Sequence, residues 1–314
     1  LQVAINPLLR VSGGEEHFAF FSVMGQLIFG LASFISPHIY SYLVQNLTGY
    51  KGNDNSLLTL LSTVVPPELP WVSLYWIFAA ITVAMVFILS VIRFPQIELK
   101  ESEKIGVWGT YKELLNNKIV ILYFFGIFAY VGSEQGVANW MSKFLNMYFR
   151  LNPQVEGASA VSYFWGLMTA GCVVGLLLLK LMDSRRVLVI FVSAALIVLT
   201  FALFGTKIVS FIAFPMIGFF ASVMWSVVFS LALNSVDRHH GSFSGILCMG
   251  IIGGAVVPLL IGWLGDIFGL RIALFVLYVT FGYLLSIGFW SKPLIANATL
   301  FGNPSQREKK TDKI

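Results

Sequence analysis

Apolar residues along the chain fall into long blocks broken by short polar turns, rather than into amphipathic stripes. The blocks cover about 1–12, 18–45, 70–92, 118–145, 158–180, 187–204, 208–235, 241–264 and 271–290. A membrane-spanning helix needs about 20 apolar residues, so the first block is a partial span and the other eight are read as full ones. Pro37 is expected to end or kink the buried part of the second block.

The longest polar connector, 93–117, mixes Glu98, Glu101, Glu103 and Glu113 with basic residues and reads as an amphipathic linker between two bundles. The expected organisation is a remnant of a first bundle over 1–92, the linker at 93–117, a six-span bundle over 118–290 and a polar tail over 291–314. Positions 303–314 of that tail read as disordered. The chain opens Leu1-Gln2-Val3-Ala4-Ile5-Asn6-Pro7 without an initiator Met and inside an apolar block. A cleaved signal peptide would explain the missing Met. A chain cut within a helix explains both features and is the preferred reading.

Composition agrees with the blocks. Of 314 residues, 57% are hydrophobic and 11% charged, with a mean hydropathy of +0.83. Soluble domains carry about 25% charged residues, so this chain cannot cover a water-exposed surface. A soluble enzyme, a secreted disulfide module and a nucleic-acid binder are poor readings. The net charge of +5 finds its explanation in the alternation of loops. One side collects Arg10, Arg93, Lys100, Lys104, Lys112, Lys118, Lys180, Arg185, Arg186, Arg238, Lys292, Arg307, Lys309, Lys310 and Lys313, which is 15 of the 20 basic residues. The other side holds Lys51, Lys143, Arg150, Lys207 and Arg271. Basic residues accumulate in cytoplasmic loops, which places the richer side and the C-terminus in the cytoplasm.

Polar residues inside the blocks are the functional candidates. Glu134 stands near the middle of the 118–145 block, in Tyr130-Val131-Gly132-Ser133-Glu134-Gln135-Gly136-Val137-Ala138-Asn139-Trp140. A carboxylate at that depth is expensive and normally faces a cavity or a partner. Gln135, Asn139 and Trp140 widen this into a polar-aromatic sector, with a structural bridge inside the bundle as the other reading. Gln2 and Asn6, four apart, share a helix face; such amides bind a hydroxylated ligand or join helices. Gln26 is a buried amide in the next span. In the 208–235 block, Trp225 shares a face with Phe229, and Ser226 with Ser230. A Trp at mid-depth can stack on the apolar face of a sugar-like ring or simply pack.

Other patterns carry less. Cys172 and Cys248 are isolated inside spans, which argues against a disulfide framework and a metal site. His239-His240 reads as a solvated turn. Gly250-Ile251-Ile252-Gly253-Gly254 lacks the strand and Lys of a phosphate loop and reads as a place of close helix packing or bending. A membrane enzyme would need a nucleophile with its base, or several metal ligands, at one depth; His17, His38, His239 and His240 all lie near span ends or in loops. No enzymatic activity, cofactor or metal is expected.

A faint internal echo links the two halves. Gly25, Gly30 and Pro37 follow Gly13-Gly14-Glu15-Glu16-His17-Phe18, as Gly250, Gly253, Gly254 and Pro258 follow His239-His240-Gly241-Ser242-Phe243. Repeated bundles with a site at the midplane are common among secondary transporters.

Leu1-Gln2-Val3-Ala4-Ile5-Asn6-Pro7, Gly13-Gly14-Glu15-Glu16-His17-Phe18, Tyr130-Val131-Gly132-Ser133-Glu134 and Ile251-Ile252-Gly253-Gly254 with Pro258 together resemble one family. It is the sugar–proton symporter branch of the major facilitator superfamily, the group around the bacterial fucose and glucose/galactose permeases, and the resemblance covers about 1–290. It implies an all-α membrane protein with two bundles working by alternating access, here an incomplete N-terminal bundle and a complete six-helix C-terminal bundle, starting from the fourth of twelve helices. Family members often carry an acidic residue where Gln2 stands, so Gln2 can bind a hydroxyl but cannot carry a proton. Glu134 stands where glucose/galactose-type members are acidic and the fucose type has an amide. Trp225 matches a cavity-lining aromatic.

The implied function is symport of a monosaccharide, a hexose such as glucose, galactose or fucose, coupled to a proton or to sodium. The implied setting is the bacterial inner membrane, with the full-length protein active as a monomer and the lipid bilayer and the sugar as its partners. Another polar metabolite or a drug is the alternative cargo; a non-transporting receptor is a further alternative.

Overall fold

A computed structural model of the protein describes residue 6 and residues 9–11, 13–47, 56–91 and 108–300. Among these, every regular element is a helix. They are named in chain order α1 (Phe18–Leu47), α2 (Ser56–Val64), α3 (Ser73–Val91), α4 (Trp108–Leu115), α5 (Lys118–Phe149), α6 (Ala158–Leu181), α7 (Ser184–Phe204), α8 (Lys207–Ala221), α9 (Met224–Leu233), α10 (His240–Met249), α11 (Gly253–Phe268), α12 (Leu270–Ala273) and α13 (Val276–Trp290). Short 3-10 turns precede α1 and α3 and join α10 to α11, and a π turn at Pro153–Gly157 precedes α6.

Seven stretches among the described residues are long and apolar enough to cross a membrane, and six of them lie between Lys118 and Trp290. Three of these six are composite, α8 with α9, α10 with α11, and α12 with α13. The protein is a multi-pass membrane protein. Helix α1, of 30 residues, rises about 45 Å at 1.5 Å per residue and continues past position 37, so the proline there does not end the helix.

The chain forms two compact units, one of Leu1–Gly30 with Glu98–Ile314 and one of Leu31–Ile97. The smaller unit packs Leu43, Leu47, Leu58, Leu61 and Val65 together, while α3 presents Ile81, Val83, Val86 and Phe87 outward. An exposed apolar face of this size would be an association hazard in water; in a bilayer it faces acyl chains.

In the larger unit α5 is central, contacting α6, α8, α9, α10, α11 and α13. Its ends are set locally. The Asn117 side chain accepts from the Ile119 N–H at 2.9 Å, an N-cap. Arg150 closes the helix in the left-handed region at φ 54°, its N–H returning to the Asn146 carbonyl. The helix therefore runs four residues past the apolar block, and the Asn146 side chain there donates to the Leu151 carbonyl at 2.9 Å. Asp183 caps α7 in the same way, accepting from the Arg185 N–H at 2.9 Å.

Lipid is as apolar as a leucine side chain, so these helices are held by close packing and interhelical hydrogen bonds rather than by water exclusion. Glycine permits the closest approaches. A Cβ on Gly253 would meet the Phe128 carbonyl and one on Gly132 would meet Val257, so α5 and α11 touch backbone to backbone at Gly253 and backbone to side chain at Gly132. This is the packing role expected of the 250–254 glycines. Ser133 Oγ and Thr280 Oγ1 bond at 2.6 Å between α5 and α13, and Tyr283 donates to the Leu122 carbonyl at 2.8 Å. Between α8 and α9 the helix breaks, and the Cys172 thiol donates to the Ser222 carbonyl at 3.7 Å. Both cysteines are free.

At the end of this unit rich in basic residues, one sequence expectation is overturned. His239-His240 does not form a solvated turn. His239 adopts φ 64°, which directs His240 inward, where it is buried with Nδ1 3.3 Å from Arg10 Nη1 and Nε2 3.0 Å from the Val236 carbonyl. Arg10 is itself 1% exposed; its Nε donates to Asn234 Oδ1 at 3.2 Å and its Nη2 lies 3.4 Å from Glu15 Oε2. A buried guanidinium demands partners for a planar fork of donors, and residues brought from 224 and 230 positions away in sequence supply them.

Candidate ligand site in the six-helix unit

Glu134 and Gln135 are half-buried near the middle of α5, with Gln135 Nε2 donating to Glu134 Oε1 at 3.4 Å. One turn earlier Tyr130 is 1% exposed. Its hydroxyl is buried without a hydrogen bond of ordinary geometry and lies in electrostatic contact with Glu134. From α9, the half-buried Trp225 ring reaches Tyr130 at 6.1 Å between centroids, tilted by 55°, and Phe229 at 5.5 Å. Trp225 and Phe229 thus share a face as their spacing requires. Ser222 and Ser226, on either side of Trp225, also hold buried hydroxyls without a partner.

The structure therefore gathers a carboxylate, an amide, a phenol and two aromatic faces around the α5–α9 contact. The carboxylate accepts and the amide both donates and accepts, while the indole offers an apolar face with a polar edge. Among the described residues no group of three His, Cys, Asp or Glu side chains is placed to hold a metal ion.

Other candidates are placed differently. Trp140 is turned toward α11, its Nε1 donating to the Pro258 carbonyl at 3.0 Å, and Lys143 Nζ lies 5.2 Å from its ring centre. Its indole N–H is thereby engaged in bracing the helix at a proline. Asn139 is exposed, Gln26 is half-buried in α1, and Asn6 is buried. Gln2 lies outside the described residues. Tyr130 was not singled out by the sequence; its only signal was its place one helical turn before Glu134.

The Major Facilitator Superfamily model matches residues 4–258. The chain belongs to that superfamily. A glucose/galactose transporter of Brucella abortus is 28% identical over 298 residues, covering 92% of this chain and 67% of its own length. A putative glucose/galactose transporter of Helicobacter pylori is 28% identical over 268 residues, covering 85% and 63%. The L-fucose-proton symporter of Escherichia coli is 21% identical over 288 residues, covering 86% and 63%. The chain thus spans about two thirds of the length of these relatives. A crystal structure of the Escherichia coli fucose:proton symporter superposes with a TM-score of 0.75 at 18% identity, covering 93% of this chain and 73% of that one. That superposition shows the major facilitator fold.

Proposed function

We propose that this superfamily member carries a monosaccharide across the membrane by alternating access, with a hexose such as glucose or galactose as cargo and a proton as the coupling ion. The observation that carries the reading is Glu134, half-buried near the middle of a spanning helix beside an amide and an aromatic face. The substrate class follows the names of the Brucella and Helicobacter relatives, and the proton follows the name of the Escherichia coli one.

In this reading residues 1–92 belong to one bundle and 118–290 to the other, joined by the 93–117 linker and followed by the 291–314 tail, in a monomer whose basic side faces the cytoplasm of a bacterial inner membrane. Polar groups replace the sugar's water while the indole of Trp225 covers its C–H face. Gln135 is the nearest amide; Gln2, Asn6, Gln26 and Asn139 are further contacts. Glu134 carries the proton, since a carboxylate in a low-dielectric site changes charge or partner at need. No bond in the cargo is made or broken.

The test is uptake of radiolabelled glucose, galactose and fucose by the full-length protein in proteoliposomes, under an imposed proton gradient and, separately, a sodium gradient. Accumulation of a hexose driven by the proton gradient is expected. Accumulation driven by sodium alone would reject the proton, and no hexose flux under either gradient would reject the cargo.

A further inference from the structure

After α13 the chain does not leave the unit. Lys292-Pro293 ends the helix, as proline does, and residues 291–300 run across the basic end. Ser291 is fully buried; its Oγ bonds to Tyr123 Oη at 2.7 Å, and its carbonyl accepts from Arg185 Nη1 at 3.3 Å. Leu294 N–H donates to the Asn234 carbonyl at 2.7 Å and Leu300 N–H to the Lys180 carbonyl at 2.7 Å. Asn297 binds the α6–α7 turn three ways. Its Oδ1 accepts from Ser184 N–H at 2.9 Å, and its Nδ2 donates to the carbonyls of Leu179 at 3.1 Å and Met182 at 3.2 Å. Next to this anchor, Ala298 N–H donates to the Glu16 carbonyl at 2.9 Å.

These bonds have an asymmetry. Asn234, Lys180, Leu179, Met182 and Ser184 all lie in the helices of 118–290 or at their caps, whereas Glu16 lies just before α1. Beside the Glu16 contact, Arg10 and Glu15 meet Asn234 and His240, and Asn234 Nδ2 donates to the Glu15 carbonyl at 3.2 Å. One residue, Asn234, is thus held from both sides, by the 291–300 segment through its carbonyl and by Arg10 and Glu15 through its side chain. The segment is thus fixed at several points to the 118–290 stretch and at one to the turn before α1, and ties the two together within one compact unit.

We propose that residues 291–300 form a cytoplasmic strap, anchored by Asn297, whose Ala298–Glu16 bond keeps the inner mouth closed and breaks each time the mouth opens. The proposal rests on the alternating-access reading, in which residues 1–92 and 118–290 move against each other. Of the bonds named for the 291–300 segment, only Ala298–Glu16 reaches the stretch before α1, so its making and breaking biases the equilibrium between closed and open without freezing it.

The test traps the strap. In full-length protein with Cys172 and Cys248 replaced by Ser, Glu16→Cys and Ala298→Cys place two thiols on a pair joined by a backbone hydrogen bond of 2.9 Å, a close approach that suits disulfide formation. Ser230→Cys adds a reporter, since Ser230 is buried one turn inward of Asn234. Inside-out vesicles are treated with a membrane-impermeant maleimide after oxidation and after reduction, with the 16–298 pair either closed or alkylated beforehand. Labelling at position 230 is expected to be at least about tenfold slower with the disulfide closed. In a separate background without the Cys pair, Asn297→Ala is expected to label several-fold faster than its parent.

Equal rates with the disulfide closed and open, whether both rapid or both nil, overturn the strap, as does an Asn297→Ala rate equal to the parent's. Hexose flux is measured in the same vesicles. Flux undiminished through the closed disulfide overturns the strap and leaves sugar transport standing. Strap-dependent labelling with no hexose flux in the parent removes the sugar and leaves the strap.

Discussion

Arg10 Nε donates to Asn234 Oδ1 at 3.2 Å across 224 residues of sequence, and the guanidinium is 1% exposed. A buried cation is tolerated only when paired and hydrogen-bonded, and Glu15, Asn234 and His240 meet that condition. Arg10→Ala removes one donor set and leaves three polar side chains facing a void. Hydrogen bonds to charged groups contribute about 1.5–3 kcal/mol, so a loss of that order is expected, read as a lowered Tm by scanning fluorimetry in detergent. Arg10→Lys, with a point charge in place of a planar fork, is expected to recover only part of it.

The α5–α11 contact depends on a missing side chain. Gly253→Ala pushes a methyl group against the Phe128 carbonyl, and neither backbone can yield without moving a helix. A cost of about 1–3 kcal/mol is expected for such overpacking. Gly282 has nothing within 4 Å of an added Cβ, so Gly282→Ala in α13 is expected to be neutral or slightly stabilising. Thermal unfolding of the two variants side by side separates a packing requirement from a general intolerance of substitution in spanning helices.

Trp140 sits in the polar-aromatic sector of α5 but bonds to the Pro258 carbonyl at 3.0 Å. Trp140→Phe keeps the aromatic bulk and deletes that bond, with an expected loss of about 0.5–1.5 kcal/mol in stability and no change in substrate affinity. Trp225→Phe is expected to do the reverse, leaving Tm near the parent value and weakening sugar binding. Equilibrium binding of the transported sugar, measured by calorimetry on both variants, checks the contrast.

Seven of the eight blocks read as full spans, those from 70 onward, were legible because apolar blocks of about 20 residues leave little else to form in a membrane. Glu134 was legible because a carboxylate is conspicuous at that depth. What was not legible depends on contacts remote in sequence. Arg10 looked like an ordinary loop cation and His240 like half of a solvated pair; only the turn at His239, φ 64°, and the approach of Asn234 turn both into buried partners. Trp140 has the same type and spacing whether it lines a cavity or braces a proline, and the sequence does not hold the Pro258 carbonyl's position. The 291–300 segment, with its proline, short apolar stretch and Asn297, carries no periodicity, so its attachment through backbone groups left no pattern to read.

The role of Glu134 as proton carrier is tested most directly by Glu134→Gln in the full-length protein in proteoliposomes, with proton-driven hexose accumulation measured beside hexose exchange at equal concentrations. The amide keeps shape and hydrogen bonding but cannot change charge. The expected result is loss of accumulation against a gradient with exchange retained. Accumulation at the parent level would contradict Glu134 as the coupling group.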